Sequence, residues 1–145
     1  MKIIVNEKES IEETEIIINC KTGDNEVFKM LAILRTFDKK LTGTISGQTF
    51  IIDASDVLYC DSVDKKTFIY TSDGCYETPL RLYELEERLS GSDFFRASKQ
   101  NIINLSKIVS LRPEISGKIE VTLQSGERLF VSRQYVPVLK QKLGM

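Results

Sequence analysis

Histidine and tryptophan are absent from this 145-residue chain, and cysteine and proline occur only three times each. Without histidine, the chain lacks the commonest metal ligand and the usual base of Ser-His and Cys-His catalysis. The cysteines, Cys20, Cys60 and Cys75, are odd in number and have no CxxC spacing, which argues against a disulfide framework and structural zinc. We expect them to be buried as small apolar side chains. We expect no cofactor and no enzymatic activity, because the carboxylates fall mostly on solvated helix faces and turns.

The sequence also lacks an apolar run of about 18 residues, the length that a membrane-spanning helix requires. The N-terminus, MKIIVNEKES, becomes acidic where a signal peptide would have its apolar stretch. We therefore expect a soluble, cytoplasmic protein. With 41% hydrophobic residues, a chain of this length can bury one core, or one core and a small appendage.

The first forty residues predict a small appendage with a βloopβα arrangement. Met1–Val5 and Glu15–Cys20 have the composition of short strands, and an acidic run separates them. After Asp24, a suitable N-cap, apolar residues recur at helical spacing over Asn25–Phe37. We therefore expect residues 1–40 to form an N-terminal appendage.

From residue 41 to residue 145 the pattern predicts one principal domain of α+β class, mainly β with a few short helices. Residues 39–47, which contain two glycines, are expected to form a turn or linker. Helices are predicted from about Pro79 to Leu89 and from about Gln134 to Leu143. The predicted strands are Thr49–Ile52, Val57–Val63, Thr67–Thr71, Cys75–Thr78, Phe94–Ser98, Ile108–Arg112, Lys118–Leu123 and Arg128–Ser132.

Charge is distributed unevenly along the chain. Residues 94–145 contain nine basic and three acidic residues, a local net charge of +6, although the whole chain carries −1. Affinity for a polyanion depends on the local patch and its counterions rather than on the average charge. The C-terminal third of the chain is therefore a candidate DNA-binding surface.

Three polar groups fall at predicted strand ends or turns, where side chains project from a sheet. Lys and Arg pair with guanine, and Asn and Gln pair with adenine, each bidentate pair giving ~1–3 kcal/mol of base discrimination. Taken singly, each group is also compatible with an ordinary solvated loop. The candidate base-contacting residues are Lys99, Gln100 and Asn101 after FFRAS, Arg133 after LFVS, and Lys65 and Lys66 in the loop from Asp64 to Thr67.

Residues from about Gln48 to Leu143 resemble the LytTR family of DNA-binding domains, which occur in bacterial transcriptional regulators. Any one matching segment is a weak signal, whereas four segments in the family's order are specific. The resemblance implies an elongated arrangement of antiparallel strands and small helices that inserts loops into successive major grooves on one side of DNA. The matching segments are VLYCDSVDKKTFIYTSDG, LRLYELEERL, FFRASKQNIINLSKIVSL and GERLFVSRQYVPVLKQKL.

The resemblance also implies roles for individual residues. Lys99 and Arg133 occupy positions where the family contacts bases, and a third such position, histidine in some relatives, falls on Lys65 or Lys66. Asn104 matches a family asparagine that is expected to satisfy backbone groups in a turn. Phosphate contacts, which position a protein without specifying sequence, are expected from Ser98, Lys107, Ser132 and Gln134.

The resemblance further implies partners. The chain is similar to stand-alone LytTR regulators without a receiver domain, some of which are held in check by a membrane protein. We expect a regulator that binds double-stranded promoter DNA, as a homodimer or as paired protomers, and has no small-molecule substrate. The helix Asn25–Phe37 is a candidate surface for dimerisation or for a membrane-bound inhibitor, and packing against its own sheet is the alternative. A second functional interpretation is an interaction module whose basic face binds an acidic protein partner.

Overall fold

The computed structural model describes residues 1–145 and contains ten strands and three α-helices. The helices are α1 (Asn25–Phe37), α2 (Leu82–Arg88) and α3 (Val136–Leu143). The strands are β1 (Lys40–Ile45), β2 (Gln48–Asp53), β3 (Val57–Val63), β4 (Lys66–Thr71), β5 (Gly74–Thr78), β6 (Phe94–Arg96), β7 (Asn101–Asn104), β8 (Ile108–Pro113), β9 (Ile119–Leu123) and β10 (Arg128–Val131). Every strand pairing is antiparallel, which confirms the predicted fold class.

The strands form two sheets. Seven lie in one sheet in the order β2-β1-β5-β4-β3-β7-β6, and three lie in a second sheet in the order β10-β9-β8. The turn between β3 and β4 has Asp64 at φ 51° and Lys65 at φ 66°. Both angles lie in the left-handed region, which a two-residue type I′ hairpin requires.

The part of the seven-stranded sheet formed by β3, β6 and β7 is covered on both faces, because adjacent residues of these strands enter two different cores. In β7, Ile102 packs in a core with α2, whereas Ile103 packs in a core with the three-stranded sheet and α3. In β6, Phe94 and Phe95 divide in the same way. Successive side chains of a strand point to opposite faces, so a strand buried on both faces needs consecutive apolar residues.

Asn104 ends β7 with a fully buried side chain. Its Nδ2 donates to the Val57 carbonyl oxygen at 2.8 Å, and its Oδ1 accepts from the Ser106 backbone N–H at 3.2 Å and hydroxyl at 2.8 Å. The side chain thus satisfies backbone groups of β3 and of the 3-10 turn Leu105–Lys107. The structural role predicted for Asn104 is confirmed.

The two predicted N-terminal strands were wrong. Met1–Val5 and Glu15–Cys20 have no regular secondary structure, and nearly all of their side chains are exposed. Strand composition is not sufficient, because an isolated strand has no partner for its backbone groups. The predicted boundary between an appendage over residues 1–40 and a principal domain over residues 41–145 stays a prediction.

The predicted linker over residues 39–47 was also wrong, because most of it forms β1. Gly43 permits this strand to approach β5, since a Cβ at that position would lie 2.5 Å from the Cβ of Tyr76. The glycine that suggested a linker is therefore required by a close approach of two strands.

The helices and cysteines also depart from prediction. The first predicted helix begins at Leu82 rather than Pro79, and the last begins at Val136 after a 3-10 turn. Cys60 is buried, and burial raises the pKa of its thiol to about 12. Cys20 and Cys75 are exposed, so the expectation of burial holds for one cysteine of three. None of the helices has the length and apolarity to cross a membrane.

Asp61 in β3 is a half-buried residue, and one oxygen of its carboxylate is buried and unsatisfied. It lies opposite Asn101, and its Oδ1 has no hydrogen-bond partner. Burial raises the pKa of this carboxyl, and the Tyr70 hydroxyl offsets part of the rise. Because the folded state then holds the proton more tightly than the unfolded chain does, Asp61 opposes folding increasingly as the pH rises through its folded-state pKa.

We predict that Asp61→Asn raises the free energy of unfolding at about pH 7 by about 1 kcal/mol, because an amide has no charge to desolvate. The expected gain is at the low end for a buried unsatisfied group, since Asp61 is only half-buried. Urea unfolding of parent and variant should show a smaller gain as the pH is lowered, because a growing share of the Asp61 carboxyl is then protonated. A variant no more stable than the parent at neutral pH would contradict this account.

Candidate nucleic-acid interface

Two turns from different sheets meet at one end of the molecule. The Ser132 N–H at the end of β10 donates to the Ala97 carbonyl oxygen, just after β6, at 2.8 Å. Polar residues that follow these two strands, together with one that precedes β9, line one open cleft. Its six lining residues, none of them hydrophobic, are Lys99, Gln100, Lys118, Ser132, Arg133 and Gln134.

A serine side chain shapes the turn that presents Lys99. The Ser98 hydroxyl accepts from the N–H groups of Gln100 and Asn101 at 3.1 and 3.0 Å, and it donates to Asn101 Oδ1 at 3.0 Å. Ser98 is buried and Asn101 is half-buried, whereas Lys99 and Gln100 are exposed. The hydroxyl of Ser98 and the Oδ1 of Asn101 are therefore engaged within the turn, and their contacts to DNA stay predictions.

Arg96 holds the same turn through its guanidinium. Its Nε donates to the Ser98 carbonyl oxygen at 2.7 Å, and its Nη2 donates to that of Lys99 at 2.8 Å. Its Nη1 forms an ion pair with Glu86 Oε1 of α2 at 2.9 Å. The guanidinium presents its donors in a fixed planar fork, so the backbone of Lys99 is fastened to α2.

Arg133 lies against a glycine turn. Gly117, between β8 and β9, has φ 91°, and a Cβ there would lie 2.8 Å from Arg133 Cδ. Glycine therefore gives the arginine stem room to cross this turn and adopts a φ that other residues disfavour. Arg133 begins the 3-10 turn Arg133–Tyr135 and is exposed.

The cationic side chains of the cleft have no acidic partner. Lys99, Lys118 and Arg133 are all exposed. Exposed charge without a counter-charge attracts polyanions. The salt bridges of the structure join Lys40 to Asp53, Arg96 to Glu86 and Arg128 to Glu120. Lys118 was not predicted as a site residue from the sequence, although the Ser116-Gly117 turn directly before it indicates an exposed position.

The β3–β4 hairpin lies at the same end of the seven-stranded sheet. The Ser62 N–H donates to the Gln100 carbonyl oxygen at 2.9 Å, which extends the contact between β3 and β7 towards the turn at Lys99. Lys65 lies in the two-residue turn that follows Val63 and closes this hairpin. Lys65 and Lys66 are exposed but do not line the cleft.

Lys107 lies away from the cleft. It ends the 3-10 turn before β8, and its carbonyl oxygen accepts from the N–H of Gln124 beside the β9–β10 hairpin. Lys118 and Arg133 lie at the opposite ends of these strands, roughly 16 Å away over the length of β9. The structure thus brings Ser132 and Gln134 into the cleft, but not Lys107. A phosphate contact by Lys107 stays a prediction.

Comparison with known proteins identifies the family. The LytTr DNA-binding domain family matches residues 47–144. An uncharacterised HTH-type transcriptional regulator of Staphylococcus aureus strain MSSA476 is 31% identical over 147 aligned positions, which cover 100% of this chain and 98% of that protein. A counterpart in strain NCTC 8325 is 30% identical with the same coverage.

A solved structure shares the fold. The LytTr DNA-binding domain of a Bacillus cereus methyl-accepting/DNA response regulator matches with a TM-score of 0.70 and 24% identity, over 74% of this chain and 99% of that one. Its match agrees with the antiparallel architecture described above. Together with the family match over residues 47–144, these comparisons establish that the chain belongs to the LytTR family of DNA-binding domains.

Proposed function

We propose that this protein is a sequence-specific DNA-binding transcriptional regulator that acts in the cytoplasm on promoter DNA. The observation that supports the proposal best is the polar cleft, in which Lys99, Gln100 and Arg133 come together from two sheets. Its cations are exposed and have no acidic partner. The family that the chain belongs to is one of DNA-binding domains, and the similar staphylococcal proteins are named transcriptional regulators.

The side chains of the cleft match the donor and acceptor pattern of the major groove. Arg133 can donate two parallel hydrogen bonds to guanine O6 and N7, and Lys99 can donate to the same atoms as a point charge. Gln100 can pair with adenine N6 and N7. Short turns held at their bases lose little conformational freedom on binding, which favours affinity. Turns rather than a recognition helix would then enter the groove.

The remaining contacts follow from position. Lys65 and Lys66 at the β3–β4 hairpin would contact bases beyond the cleft, and Ser132 and Gln134 would contact phosphates beside Arg133. We propose that two protomers bind paired repeats on one side of the DNA. A membrane-bound inhibitor stays a prediction that rests on family resemblance alone.

Fluorescence anisotropy can test the proposed function. The full chain would be titrated onto DNA from upstream of its own operon and onto a shuffled duplex, at about 0.15 M salt. We expect the native fragment to bind at least about 100-fold more tightly, as specific DNA-binding proteins do. Equal binding to both duplexes would contradict sequence specificity and favour an acidic protein as the partner of the basic face.

Arg96→Lys should weaken binding to the preferred duplex about tenfold. Lysine keeps the positive charge but cannot hold Glu86 and the carbonyls of Ser98 and Lys99 in one planar fork. Arg128→Lys is the matched control. Arg128 is exposed, and its ion pair with Glu120 is loose, with 3.9 Å between Nε and Oε1. Thermal unfolding would verify that both variants are folded. A folded Arg96→Lys protein with parental affinity would show that the turn does not need this arginine.

A further inference from the structure

The first 37 residues, here called the N-terminal segment, expose many apolar side chains. Of nineteen large apolar residues exposed in the structure, ten lie in this segment and nine in the remaining 108 residues. No residue of the segment belongs to either core. A concentration of exposed apolar surface of this kind marks an interaction site. The ten residues are Met1, Ile3, Ile4, Val5, Ile11, Ile16, Ile17, Phe28, Ile33 and Phe37.

The backbone of residues 1–23 is almost unpaired. Its single backbone hydrogen bond joins the Ile11 N–H to the Lys8 carbonyl oxygen at 3.4 Å. The two β-branched stretches, IIV at residues 3–5 and III at residues 16–18, therefore have free donors and acceptors beside strand-forming side chains. Such a stretch is a template for pairing with another strand.

Much of the apolar surface of helix α1 is also left exposed by the rest of the chain. Its only buried residue is Thr36, whose hydroxyl accepts from the Asp93 N–H at 2.7 Å and anchors the end of the helix. Phe28 and Phe37 are nine residues apart, which at about 100° per residue places them on opposite sides of the helix, and both are exposed. A helix that is apolar on opposite sides is stable when both are buried. The chain itself covers only part of α1.

We propose that a second copy of this chain covers the N-terminal segment and that the two copies form a dimer across it. In this dimer the stretch MKIIVNE pairs antiparallel with the same stretch of the other copy, and α1 packs in the same interface. A two-fold axis makes such an interface self-complementary. The proposal concerns assembly and does not depend on DNA binding.

Charge complementarity favours a second copy over other occupants. When Ile4 lies opposite Val5 of the other chain, Lys2 lies opposite Glu7 at both ends of the paired strands. Opposite charges facing each other across strands stabilise the pair. The segment contains five basic and seven acidic residues, a mixture that suits neither an anionic membrane nor a strongly acidic partner.

The exposed apolar area of the N-terminal segment is also sufficient for a stable dimer interface. Each exposed aliphatic or aromatic side chain offers on the order of 100 Å² of apolar surface, by the usual relation between burial energy and area. Ten such side chains therefore offer on the order of 1,000 Å² per chain, whereas a stable interface needs about 800 Å² per partner.

Sedimentation of the full chain from about 1 to about 100 μM would test the dimer. We expect the parent to be dimeric in this range and Ile4→Glu to weaken dimerisation at least about 100-fold, because a charged carboxylate would replace the apolar contact with Val5 and would lie on the same face as Glu7 of the other copy. Ile115→Glu is the control, since Ile115 is fully exposed in the β8–β9 turn and should leave the dimer unchanged. A parent that stays monomeric at the highest concentration, or an Ile4→Glu dimer as tight as the parent's, would overturn the proposal.

Exchanging the charges of Lys2 and Glu7 tests whether the partner is a second copy of this chain. Lys2→Glu alone and Glu7→Lys alone should each weaken the dimer roughly tenfold, because like charges would then face each other. The double variant Lys2→Glu, Glu7→Lys restores opposite charges only if each strand pairs with its own copy. Recovery of the parental dimer would therefore support self-pairing, and a double variant weaker than both single variants would refute it.

Discussion

Arg133→Ala should lower the affinity for the preferred duplex roughly 10- to 100-fold and reduce the preference at one base pair, as the loss of a bidentate arginine does. Arg133 is exposed, has no acidic partner and is supported at its stem by Gly117. The substitution removes the guanidinium without touching either core, so the protein should unfold at the parental temperature. Anisotropy on duplexes with single base-pair changes would locate the lost preference.

Lys99→Ala should have a similar effect at a different base pair, because Lys99 lies on the other turn of the same cleft. Lys107→Ala is the informative contrast. Since a phosphate contact carries no sequence information, that variant should bind all duplexes more weakly by the same factor. If Arg133→Ala and Lys99→Ala both bound as tightly as the parent, the assignment of base contacts would be wrong, even for a protein that regulates transcription.

Asn104→Ala should lower the free energy of unfolding by about 3 kcal/mol, the sum expected when buried partners lose their hydrogen bonds. The Val57 carbonyl would lose its donor, and the N–H and hydroxyl of Ser106 would lose their acceptor. Since Asn104 is completely buried, water cannot replace the missing amide without opening the structure.

Thermal and urea unfolding would measure this loss, and the melting temperature should fall by roughly 10 °C for a domain of this size. Gln141→Ala is a suitable control, because Gln141 is exposed, lies outside the N-terminal segment and has no side-chain hydrogen bond that a substitution would remove. If Asn104→Ala melted within a degree or two of the parent, the amide would not be the link between β3 and the turn after β7.

Much of the sheet could be predicted because hairpin turns and alternating side chains are local signals. Strand β7 was not predicted, because its four residues, NIIN, are too few to show a period and its two isoleucines face different cores. The prediction of strands at Met1–Val5 and Glu15–Cys20 was wrong for a different reason. Their composition favours extended chain, but a strand also needs a neighbour that the sequence does not specify.

The candidate site was predictable in its parts but not in its arrangement. Local patterns pointed to Lys99 and Arg133, which are far apart in sequence. Their meeting depends on the hydrogen bond from Ser132 to Ala97 and on the packing of two sheets, neither of which has a local signal. Lys118 joins the cleft through the same tertiary arrangement.

The hydrogen bond between Ser132 and Ala97 joins the two cationic turns, and in the proposed complex it would fix the spacing of their contacts along DNA. Lys99 belongs to one sheet and Arg133 to the other, so their separation is set by how the sheets pack rather than by either loop. Val131, next to Ser132, is completely buried in the shared core. Partial opening of that core would leave each cation able to attract phosphate while the spacing between them drifted. Under the proposed function, selectivity among promoters would therefore depend on the interior of the protein as much as on its surface.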